Sequence, residues 1–81
     1  MGHIGVNYHY NPNGIRYSVY ERFVEENTQK DLKLSKDFYG LIEYFVTHKD
    51  KLKGKEIILS NNFPKDKKKS FSDLISLLEL D

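Results

Sequence analysis

His9, Arg16, Tyr20 and Arg22 supply an imidazole, two guanidinium groups and a phenol within fourteen positions near the N-terminus. A set of that kind can cleave RNA, the imidazole moving a proton and an arginine holding the phosphate. The same alternation of polar residues is also what the solvent side of an ordinary hairpin contains. Small ribonuclease toxins are strongly basic, whereas this chain of 81 residues carries a net charge of only +1. A ribonuclease-like toxin is therefore the third-ranked reading, and no catalytic residue is expected.

A second group is Lys65, Lys67, Lys68 and Lys69, backed in sequence by Lys51, Lys53 and Lys55. Lysines on a loop ahead of a helix can contact phosphates and give a salt-sensitive affinity for nucleic acid. Arginine is the residue suited to bidentate recognition of bases and phosphates. Only Arg16 and Arg22 are present. Nucleic-acid binding through this predicted loop is the second-ranked function.

His3, His9 and His48 lack the tight spacings of zinc sites, and cysteine is absent. A free Met1-Gly2-His3 end can chelate Cu(II) or Ni(II) in a square plane, but removal of Met1 ahead of Gly2 breaks that spacing. Neither a metal nor a cofactor is expected. The first-ranked function is thus a non-enzymatic module that binds another protein, as an inhibitor or regulator. Its contact surface is expected on the outer hairpin face, around His9, Arg16, Tyr20 and Arg22, or along a sheet edge. Homodimerisation through an edge strand is the commonest form of such association.

Composition narrows the setting. Without cysteine there is no disulfide framework, which points to a reducing compartment and to the cytoplasm. The longest apolar run, Ile57-Ile58-Leu59, is far short of the roughly 20 residues that span a bilayer. The opening Met1-Gly2-His3-Ile4-Gly5-Val6 has Val6 where a myristoylation signal needs serine or threonine. Charge is uneven: residues 1–29 carry a net −1, residues 30–69 a net +5 and residues 70–81 a net −3.

The elements that must position these residues follow from periodicity. Residues 1–81 are too few for more than one domain. Ile4, Val6, Tyr8 and Tyr10, then Ile15, Tyr17 and Val19, alternate with polar neighbours and predict a hairpin of strands at about 3–10 and 15–24. Asn11-Pro12-Asn13-Gly14 supplies its turn. A turn centred on Pro12 and Asn13 pairs Tyr8 with Tyr17 and Val6 with Val19. A loop on Asn13-Gly14 shifts the pairing but keeps the same faces. Tyr8, Tyr10 and Tyr17 then line the core and its rim, leaving His3, Asn7, His9, Arg16, Ser18, Tyr20 and Arg22 on the other face.

Residues 25–33 read as a polar connection. Ser35 is the expected N-cap of a helix over about 36–53, with Phe38, Leu41, Ile42, Phe45 and Leu52 on its apolar stripe and Gly54 ending it. Three consecutive apolar residues predict a strand at about 56–60 buried on both faces. Ser70-Phe71-Ser72-Asp73 resembles a capping box opening a helix over about 71–80. The expected fold is α+β in the order β-β-α-β-α, with a three-stranded sheet and the helices on one face.

Overall fold

The computed structural model describes residues 2–9 and 14–80. It is an α+β fold with a four-stranded mixed sheet. The elements are β1 (Gly2–Tyr8), β2 (Tyr17–Phe23), β3 (Thr28–Ser35), α1 (Phe38–Thr47), α2 (Lys49–Leu52), β4 (Glu56–Leu59) and α3 (Lys65–Leu77). The sheet order is β3-β2-β1-β4, with β4 parallel to β1 and the other neighbours antiparallel.

The hairpin has the first of the two expected registers: Val6 pairs with Val19 and Tyr8 with Tyr17. His9 N–H donates to the Arg16 carbonyl at 2.7 Å and extends the same register. Tyr10, expected at the core rim, and Asn11, Pro12 and Asn13 of the expected turn lie outside the described residues. Alternation then sorts the faces. Ile4, Val6, Tyr17 and Val19 are buried toward the helices, and Tyr8 packs half-buried beside Tyr17 with ring centroids 5.4 Å apart.

The fourth strand, β3, occupies the stretch expected to be a connection. Its sequence, Thr28-Gln29-Lys30-Asp31-Leu32-Lys33-Leu34-Ser35, shows little apolar alternation because an edge strand needs only one neighbour and little burial. A register shift opposite Val19 and Tyr20 forms a bulge, and Leu32 packs against the core there. Asn27 closes the preceding turn with φ of 52°, a left-handed conformation that asparagine tolerates.

The long helix is α1 followed by the single turn α2, broken at His48. Its N-cap is Asp37, whose Oδ1 accepts the Gly40 N–H at 2.9 Å; Ser35 is instead the last residue of β3. Ser35 Oγ donates to the Asp37 carbonyl at 2.8 Å, and a Cβ on Gly40 would collide with that hydroxyl. Gly40 therefore answers to the close approach of the strand end, despite costing about 1 kcal/mol in helix propensity. Gly54, at φ of 85°, follows α2 as expected.

α3 begins at Lys65, so the four lysines lie on helix rather than loop. Ser70 sits inside α3, where its hydroxyl reaches the Asp66 carbonyl at 3.5 Å. Lysine is a good helix former, and Pro64 at the N-cap forgoes a donor that a helix start leaves unpaired. The other end is a Schellman closure. Glu79 N–H donates to the Ser76 carbonyl at 3.1 Å and Leu80 N–H to the Ile75 carbonyl at 3.0 Å, with Glu79 at φ of 60°. That turn folds Leu80 back into the core. Phe71 is the centre of the helical layer, at 4.8 Å and 86° to Phe45 and within 6.3 Å of Phe38 and Phe63.

Candidate functional site

The four hairpin candidates share one face but do not converge. Along β1, His9 and the partner of Arg22, His3, are six residues apart, or about 20 Å at strand rise. His9 Nε2 lies 2.8 Å from Ser18 Oγ, and Arg22 Nη2 donates to Asn27 Oδ1 at 2.7 Å. Arg16 is exposed beside His9 at one end of the face. Tyr20 lies across Gly5, where a Cβ would collide with its ring, and its edge meets His3 at 6.2 Å. Its ring thus shields a bare stretch of β1 backbone while staying half-buried on the uncovered face.

Lys65, Lys68 and Lys69 fall within about 100° of helix surface and are exposed, whereas Lys67 Nζ sits 5.2 Å above the Phe38 ring. Lys69 pairs with Asp73 at 3.3 Å, an exposed i,i+4 contact of little energetic weight. His48 stacks on Tyr44 at 4.2 Å, at the C-terminal end of α1 rather than on the hairpin that carries His3 and His9. Among the described residues, no three of His, Asp or Glu lie close enough together to hold a metal ion.

The sheet edge is the more distinctive surface. β4 ends the sheet, and its alternation of exposed and half-buried residues corrects the expectation of burial on both faces. Ile57 and Leu59 turn toward the helices, while Ile58 stands 43 % exposed on the uncovered face. Ser60 N–H donates to the Val6 carbonyl at 2.9 Å. In a parallel ladder the backbone groups of alternate residues point to opposite sides. Glu56 and Ile58 therefore bond to β1, and the N–H and C=O of Ile57 and Leu59 point away from the sheet. The ladder stops sharply beyond Ser60: Ser60 Oγ accepts the Tyr8 N–H at 3.2 Å and Asn62 Nδ2 donates to the Tyr8 carbonyl at 2.8 Å.

Beside those groups runs an apolar groove between β4 and α3. One part, about 280 Å³, is lined by Ile57, Leu59, Phe71, Ser72, Ile75 and Ser76. A continuing part of about 530 Å³ reaches Gly54, Lys55, Glu56 and Leu80. Lys55 is held by Glu21 at 2.6 Å, which ties the approach to β4 onto β2. Tyr44 lies near that pair, and its pKa is raised, first by burial and then by the Glu21 charge.

Sequence reading put no emphasis on this groove. Its signal was the uninterrupted Ile57-Ile58-Leu59, in which Ile58 is surplus to a one-sided edge strand. No family model matches the chain, and no curated protein or solved structure shows significant similarity to it.

Proposed function

We propose that the chain is a non-enzymatic protein-binding module that accepts an extended segment of its partner as an added strand along β4. The observation carrying this reading is the pairing of outward Ile57 and Leu59 backbone groups with an apolar groove alongside them. Main-chain bonds to the edge supply affinity, and every second side chain of the incoming strand enters the groove, which selects apolar residues at alternate positions. A module that holds such a segment sequesters it, the action of an inhibitor or regulator. The lack of cysteine supports a reducing, cytoplasmic setting.

A labelled extended peptide with alternating apolar residues is the direct probe, read by anisotropy and by amide exchange. Binding should protect the Ile57 and Leu59 amides, and Ser72→Lys, which charges the groove wall, should weaken it about tenfold. Protection that instead tracks His9, Tyr20 and Arg22 moves the site to the open face. RNA binding that is abolished by neutralising Lys65, Lys68 and Lys69 makes the chain a nucleic-acid binder.

A further inference from the structure

Resting on strand addition at β4, we propose that the strand added is β4 of a second copy of this chain, antiparallel and related by a two-fold axis through Ile58. The outward groups are self-complementary only in a narrow set of registers. Placing Ile57 opposite Leu59 of the second copy matches every outward N–H of the strand with an outward C=O, in hydrogen-bonded pairs on both sides of the axis. A register one pair earlier would set Leu59 against Lys55, whose N–H is already donated to the Leu52 carbonyl at 3.2 Å.

Side chains agree with this register. Residues opposite one another in a ladder share a face. Ile57 and Leu59 of each copy then enter the groove of the other, against Ile75 and beside the small Ser72. On the uncovered face Ile58 meets its own symmetry mate, which covers an isoleucine otherwise 43 % exposed. Glu56, the one charged residue of β4, falls opposite Ser60, so no like charges are set against each other within the paired strands. With a net charge of +1, long-range repulsion between copies is slight. The product is one continuous sheet through both copies, ending at each β3.

Ile58 gives a test that separates a second copy from any other strand. Light scattering over a concentration series should show a monomer–dimer equilibrium for the native chain, with protection of the Ile57 and Leu59 amides rising alongside it. Ile58→Lys sets like charges directly opposite and should raise the dimer dissociation constant about tenfold or more, whereas Ile58→Thr should leave it near the native value. Mixing Ile58→Lys with Ile58→Glu chains should restore association as a mixed dimer. Circular dichroism of each variant keeps folding separate from association.

A native chain that stays monomeric up to millimolar concentration, or a dimer indifferent to Ile58→Lys, overturns the proposal. Peptide binding at Ile57 and Leu59 by such a monomer rejects only the second copy and leaves strand addition standing. Loss of both removes both.

Discussion

Along β3 the sheet ends in eight residues that include Lys30, Asp31 and Lys33 and a bulge at Leu32; along β4 it ends in four, of which only Glu56 is charged. Charges and bulges are what keep an edge from templating further strands. β3 is also the longer strand, so it has more unpaired backbone to guard. β4 has an apolar groove where β3 has lysines. Two edges of one sheet thus face the same hazard, and only one is defended, which is why the proposed association is at β4.

The largest effect should come from removing the wall that makes the β4 side distinct. Phe71→Ala should cost about 3–5 kcal/mol in denaturant unfolding, because a fully buried ring at the centre of the aromatic cluster is lost. Amide exchange should then accelerate in β4 and α3 more than in β2 and β3. Gly5→Ala, on the strand both halves share, should cost about 1–3 kcal/mol, since Tyr20 must leave its seat. A smaller cost there means that the ring slides away easily and is free to meet a partner.

Glu79→Gly should stabilise the groove end by about 1 kcal/mol in the unfolding free energy, by relieving a left-handed non-glycine residue at the α3 terminus. Alkaline pH acts in the other direction. Tyr17 and Tyr44 have pKa values raised above 10.0, chiefly by burial, with the Tyr8 and Glu21 charges next in order. The folded chain holds these protons more tightly than the unfolded one. Their contribution is complete below pH 10 or so and is lost as pH climbs through the raised values. Urea midpoints should fall in that range, and Tyr44→Phe should flatten the fall.

The smallest effect on stability, within about 0.5 kcal/mol, is expected from the double variant Lys30→Val with Lys33→Val, since both lysines are exposed. Its effect on association should be plain. With both edges undefended, light scattering should report species larger than a dimer, because a second open edge allows chains to add without closing. A double variant with unchanged mass weakens the idea that charge is what distinguishes the two edges.

The hairpin was legible because β1 and β2 lie inside the sheet with one face sealed. Burial there imposes a two-residue period that any reader of Ile4, Val6, Tyr17 and Val19 can see. β3 was not legible, since its stability comes from backbone bonds to β2 and leaves no strong apolar rhythm. The extra helical turns of α3 were hidden in the same way: Lys65 to Lys69 are compatible with loop or helix, and docking of Phe71 decides. Of the site residues, Tyr20 and Arg22 were placed on the correct face, but Tyr20's use as a cover for Gly5 depends on which residue lies opposite it.

The order of residues determined the inside and outside of the first two strands, the apolar stripe of α1 and the closure at Gly54, because each depends on neighbours within a few positions. Whether Ile57-Ile58-Leu59 is a buried strand or an exposed edge depends on how many strands the rest of the chain contributes and on which side they pair. Only the assembled sheet, with β3 taken to one end and β4 left at the other, decided that. Backbone hydrogen bonds carry no side-chain code for which strand ends the sheet.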